Sequence, residues 1–70
     1  MISSDRVHIF DEGAGIYELD VMSDAGHMEY VRAIPVDKLD QLEVDQAWLL
    51  ASDDMTEFWE RVNNIRNRDF

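Results

Sequence analysis

Sixteen carboxylates and two histidines, with no cysteine, are the side chains of this 70-residue chain that could do chemistry. Zinc needs three or four convergent ligands, and His8 and His27 stand alone, without an H-x-x-x-H or C-x-x-C partner. The acids of "DEGAG" (11–15) and "SDAG" (23–26) lack the D-x-[DN]-x-[DN]-G run and terminal Glu of a calcium loop. The "GAG" turn has no lysine and no helix behind it, so it does not form a phosphate cradle. A pair of hydrolase carboxylates could be drawn at will from so many acids, and residue type alone therefore identifies none. No metal, no cofactor and no enzymatic activity are expected, since a chain of this length has little room for a catalytic cleft.

The carboxylates matter instead as a field. Sixteen acids against six bases give a net charge of −10. Residues 1–60 carry fifteen of those acids and three bases, whereas "RVNNIRNRDF" carries three arginines and Asp69. Such a surface repels nucleic acid and anionic membrane, and its natural partner is a positively charged protein surface. Apolar residues at 46%, two tryptophans among them, set the chain apart from disordered acidic sequences. No window approaches the 18 or more apolar residues of a membrane span, and "MISSDRVHIF" lacks the pattern of a signal peptide. With no cysteine, a cytoplasmic location is expected, in the host cell if the chain is phage-encoded.

These charges must be positioned by a small fold, a single domain over 1–70. "RVHIFD", "IYELDVM" and "HMEYVRAI" alternate as strands separated by glycine-containing turns, the last ending at Pro35. A five-residue loop at 11–15 and a four-residue loop at 23–26 pair Val7 with Leu19, Ile9 with Tyr17, Val21 with Met28 and Leu19 with Tyr30. One face then reads Val7, Ile9, Tyr17, Leu19, Val21, Met28 and Tyr30. The other reads Arg6, His8, Glu18, Asp20, Glu29 and Val31, with Phe10, Ile16 and Ala33 at one end.

On that polar face Asp20 lies opposite Glu29, with Arg6 on its other side to offset the repulsion. Like charges directly across a sheet oppose pairing. Either the sheet tolerates a defect, or Glu18, Asp20 and Glu29 are an acidic patch kept for a basic partner.

After Pro35 the pattern becomes helical. "VDKLDQLEVDQAWLLA" carries Asp37 as a cap and Leu39, Leu42, Leu49 and Leu50 at helical spacing, with Gln46 interrupting. The alternative is a short helix at 37–42 and a fourth strand near 46–51. In the last segment Asp54 and Glu57 approximate a capping box, and Met55, Phe58, Trp59, Val62 and Ile65 form one stripe. The fold expected is α+β: a three-stranded antiparallel meander (1–35) covered on one face by one or two C-terminal helices (36–70).

In size, acidity and α+β make-up the whole chain resembles the small acidic inhibitors of phages and mobile elements, namely DNA mimics and anti-CRISPR proteins. That resemblance implies a non-enzymatic inhibitor of a basic, nucleic-acid-handling complex. Glu18, Asp20 and Glu29, extended by Asp37, Asp40, Glu43, Asp53, Glu57 and Glu60, are the candidate carboxylates of contact, with Phe10 and Val31 as apolar anchors. The arginines at 61, 66 and 68 depart from a fully acidic mimic. The alternative is an adaptor, antitoxin or immunity-type subunit that binds its partner without mimicry; homodimerisation through the row Phe10, Ile16 and Val31, or through an open sheet edge, fits either.

Overall fold

The computed structural model describes residues 2–68. Strands β1 (Val7–Gly13), β2 (Ile16–Met22) and β3 (Met28–Pro35) are followed by helices α1 (Leu39–Leu50) and α2 (Met55–Arg66). The strands pair antiparallel in the order β1-β2-β3. One face of the sheet supplies Val7, Leu19, Val21 and Ile34 to a core completed by Leu42 and Leu49 of α1 and Phe58, Val62 and Ile65 of α2. The α+β architecture read from the sequence is thus the architecture found.

The first turn is tighter than the expected five-residue loop. Gly13 pairs with Ile16, leaving only Ala14 and Gly15 between the strands. Both have positive φ, 53° and 77°, the signature of a type I′ turn, whose twist matches that of the flanking strands. Closing the turn this way requires a bulge at Glu12, where Asp11 accepts a hydrogen bond from the Gly13 amide at 2.9 Å. Val7 consequently lies opposite Val21 instead of Leu19. A shift of two residues leaves every side chain on its expected face.

The second hairpin corrects the sequence reading more deeply. Met22 pairs with Met28 around a five-residue loop, Asp20 pairs with Tyr30 and Val21 with Glu29, but Leu19 pairs with Arg32. Val31 is the extra residue of a β-bulge. A one-residue offset inverts the faces, so Met28 and Tyr30 emerge on the uncovered side, 37% and 56% exposed, instead of joining the core. Val31, expected on the polar face, is 3% exposed. The physical reason is that Val31 and Ile34 are three residues apart, and a regular strand cannot turn both inward; the bulge can. Asp20 therefore does not face Glu29, and the like-charge pair expected from simple pairing is not formed.

Helix α1 runs through "AWLLA", so no fourth strand forms there. It is entered from a 3-10 turn at Val36–Lys38 and carries no side-chain cap, so Asp37 does not cap it. Tertiary bonds hold it instead. Gln46, the polar interruption of its stripe, donates to the Val7 carbonyl at 3.0 Å. The Trp48 carbonyl, in the last turn where intrahelical donors run out, accepts from Arg61 at 2.6 Å. In α2 the Asp54 carboxylate accepts from the Glu57 amide at 2.9 Å, while Glu57 reaches back to the Asp53 amide at 3.2 Å. This is the expected capping box, displaced by one residue on its return arm.

Candidate functional site

Both helices lie on one side of the sheet; the other side carries neither, only the 3-10 turn Ser4–Arg6 meeting β2 and His8 at its end, and its residues form a grid set by the register. Across the middle of the sheet His8, Asp20 and Tyr30 lie in one row; Phe10, Glu18 and Ala33 lie in the next. Met22 with Met28, and Ile16 with Pro35, form the rows beyond. The centre of this face is acidic and its margin apolar: Phe10, Ile16, Met28 and Tyr30 are all exposed large hydrophobic residues. Phe10 stacks on His8 at 5.9 Å between ring centroids, and the His8 Nε2 donates to the Asp5 carbonyl.

Glu18 and Asp20 project from alternate positions of the central strand, which places their backbone origins about 6.6 to 6.8 Å apart. The loss of solvent around Glu18 raises its pKa above the ordinary carboxylate value, and the adjoining Asp20 carboxylate raises it further; contact with Glu12 opposes the shift. One oxygen of Asp20, Oδ1, is shut off from water and finds no donor. Two ionised carboxylates cannot hydrogen-bond to each other, whereas a proton held by Glu18 can be donated to Asp20. The surroundings of Glu18 therefore favour its protonated form more than water does.

The other residues singled out in the sequence are distributed elsewhere. Glu29 lies on the covered side, opposite Val21, where it meets Arg66 at 3.4 Å. Val31 is in the core and offers no contact surface. Asp37, Asp40 and Glu43 are exposed on the 3-10 turn and on α1, and Glu60 is exposed on α2, all in the helical layer behind the sheet. Asp53 and Glu57 serve the start of α2, and Glu57 also holds Arg61 at 2.9 Å. The expected acidic field is thus two fields on opposite sides, of which the sheet face combines acids with exposed aromatic surface. Tyr30 and Met28 belong to that face and were assigned inward by simple pairing; the three-residue interval between Val31 and Ile34 was the signal.

The C-terminal arginines do not form a cationic patch. Arg61 lies over the Trp48 ring at 4.9 Å besides its bonds to Glu57 and the Trp48 carbonyl. Arg66 donates to the Tyr30 carbonyl at 3.1 and 3.2 Å. Arg68 bonds both oxygens of Asp45 at 3.0 and 3.2 Å, an acid only 4% exposed. Near the N-terminus Arg6 pairs with Asp24 at 2.8 Å, not with Asp20. Four arginines are thereby spent on four carboxylates and on backbone carbonyls.

Among the described residues no three histidine, aspartate or glutamate side chains are placed to hold a metal ion, and no helix is long and apolar enough to cross a membrane. No family model, curated protein or solved structure matches this chain.

Proposed function

We propose that this chain is a small non-enzymatic protein that binds and inhibits a basic, nucleic-acid-handling protein of its cell, as anti-CRISPR and anti-restriction inhibitors do, with the uncovered sheet face as its contact surface. The observation that carries this reading is the composition of that face: two carboxylates at the centre, Glu18 and Asp20, within a margin of exposed Phe10, Ile16, Met28 and Tyr30. Charge at the centre speeds capture of a basic target, and apolar anchors lengthen the complex's life. The internal pairing of Arg61, Arg66 and Arg68 supports it too, because these residues do not oppose a basic partner as an open cationic tail would.

The test is capture of partners on the immobilised chain from nuclease-treated lysate of its source cell, followed by a salt step, beside the Glu18→Lys/Asp20→Lys variant. A basic nucleic-acid-handling protein that salt releases and the variant fails to capture is the expected result. A neutral partner retained by the variant would overturn inhibition by charge and establish the adaptor, antitoxin or immunity-type reading.

A further inference from the structure

We infer that the partner docks on this face through arginine side chains seated over Glu18 and Asp20, between Phe10 and Tyr30, and not by adding a strand to the sheet. This rests on the reading of the face as the contact for a basic protein, and it names the chemistry and direction of approach.

The direction follows from the state of the sheet edges. Edge strands with a long run of open amides and carbonyls invite an extended peptide, and both edges here are interrupted. Along β1, Gln46 occupies the Val7 carbonyl, and the strand is broken at its far end by the bulge at Glu12. Along β3, Val31 bulges out of register, Arg66 occupies the Tyr30 carbonyl from two nitrogens, and Pro35 has no amide hydrogen to give. The Val36 amide that follows is already bonded to the Gly15 carbonyl at 2.8 Å. The broad face remains.

The chemistry follows from the grid. Phe10 is the cross-strand neighbour of Glu18 on one side of β2, and Tyr30 is the neighbour of Asp20 on the other. A cation that reaches the carboxylates therefore passes between two aromatic rings that are 40% and 56% exposed. Guanidinium meets a carboxylate with two parallel N–H donors and lies flat on an aromatic ring; an ammonium offers a compact, strongly hydrated charge. A second copy of this chain is the wrong occupant, since face-to-face packing would set Glu18 and Asp20 against their own counterparts.

The experiment is a titration of the ¹⁵N-labelled full chain, followed by amide chemical shifts, with two synthetic peptides of equal length and charge, one bearing arginines and the other lysines. The arginine peptide is expected to bind about three- to fivefold more tightly, as two exposed cation–π contacts allow. Its shifts should centre on His8, Phe10, Glu18, Asp20 and Tyr30. In the Phe10→Ala/Tyr30→Ala variant, which removes only exposed side chains, the arginine peptide should fall to the lysine level. Equal affinities on this face would overturn the arginine preference while leaving a basic partner in place. Shifts confined to Asp37, Asp40 and Glu43, or new amide protection along the β1 or β3 edge, would overturn face-on docking. Concentration-dependent dimerisation through the face, or no binding by either peptide, would overturn this inference and the reading beneath it together.

Discussion

Glu18 carries a titration that separates its electrostatic role from its packing. Its pKa in the folded chain lies above the unfolded value because solvent is withheld from it and because Asp20 is adjacent. In the window between the unfolded value, near 4.5, and the raised folded value, the folded state binds more protons than the unfolded state. Stability then falls as pH rises through that window. Ionised Glu18 is a liability at neutral pH, relieved on acidification. Glu18→Gln removes the charge and keeps a hydrogen-bond donor for Asp20, so the variant should be more stable at neutral pH, by less than about 1 kcal/mol for a partly exposed group that solvent still screens. The gain should vanish below the window. Urea unfolding at pH 7 and at pH 4 measures both values, and an equal difference at the two pH values would show that charge is not the cause. A carboxylate that weakens its own fold is what a surface reserved for a cationic partner would carry.

At the scale of elements, β3 decides which residues meet that partner. Its inner and outer sets exchange at Val31, and a pairing scheme based on strict alternation has no means of placing the exchange point. Elements with a single unbroken period were legible: α2 through Met55, Phe58, Val62 and Ile65, and β2 through Leu19 and Val21. Glu18, Asp20 and Phe10 were consequently placed on the correct face. Tyr30 and Glu29 were not, because each depends on a bulge whose benefit, burial of both Val31 and Ile34 against helices, exists only in three dimensions. The arginine partners were hidden for the same reason: Arg66 reaches Tyr30 across 36 positions of chain and Arg32 reaches the Ile65 carbonyl across 33. The bulge is testable by moving one charge by one position. Tyr30→Lys should change stability by no more than about 0.5 kcal/mol, as for an exposed site. Val31→Lys should cost more than about 3 kcal/mol, since it buries an unpaired ammonium. Denaturation midpoints of the two variants decide it; an unbulged strand would reverse their order.

Across the whole molecule, the question is whether partner binding responds to total charge or to one face. The sheet separates two acidic surfaces, Glu18 and Asp20 in front and Asp37, Asp40 and Glu43 on the helical side. Each acid-to-lysine change adds two charges, so the Asp37/Asp40/Glu43→Lys variant brings the net charge from −10 to −4, and the Glu18/Asp20→Lys variant only to −6. If long-range attraction governs, the triple variant is the more damaged. If the sheet face is the contact, the double variant loses binding because lysines stand where guanidinium groups must dock, while the triple variant keeps its contacts and is captured more slowly. Steering acts chiefly on the association rate and is screened over about 8 Å at physiological salt, whereas contact charges act on dissociation. The association rate of the triple variant should therefore fall severalfold at low salt and approach that of the unaltered chain at physiological salt, with its dissociation rate unchanged. The double variant should dissociate at least tenfold faster at both salt concentrations. Surface-binding kinetics on the captured partner read these rates directly, and a triple variant weaker than the double at physiological salt would transfer the contact from the sheet face to the helical layer.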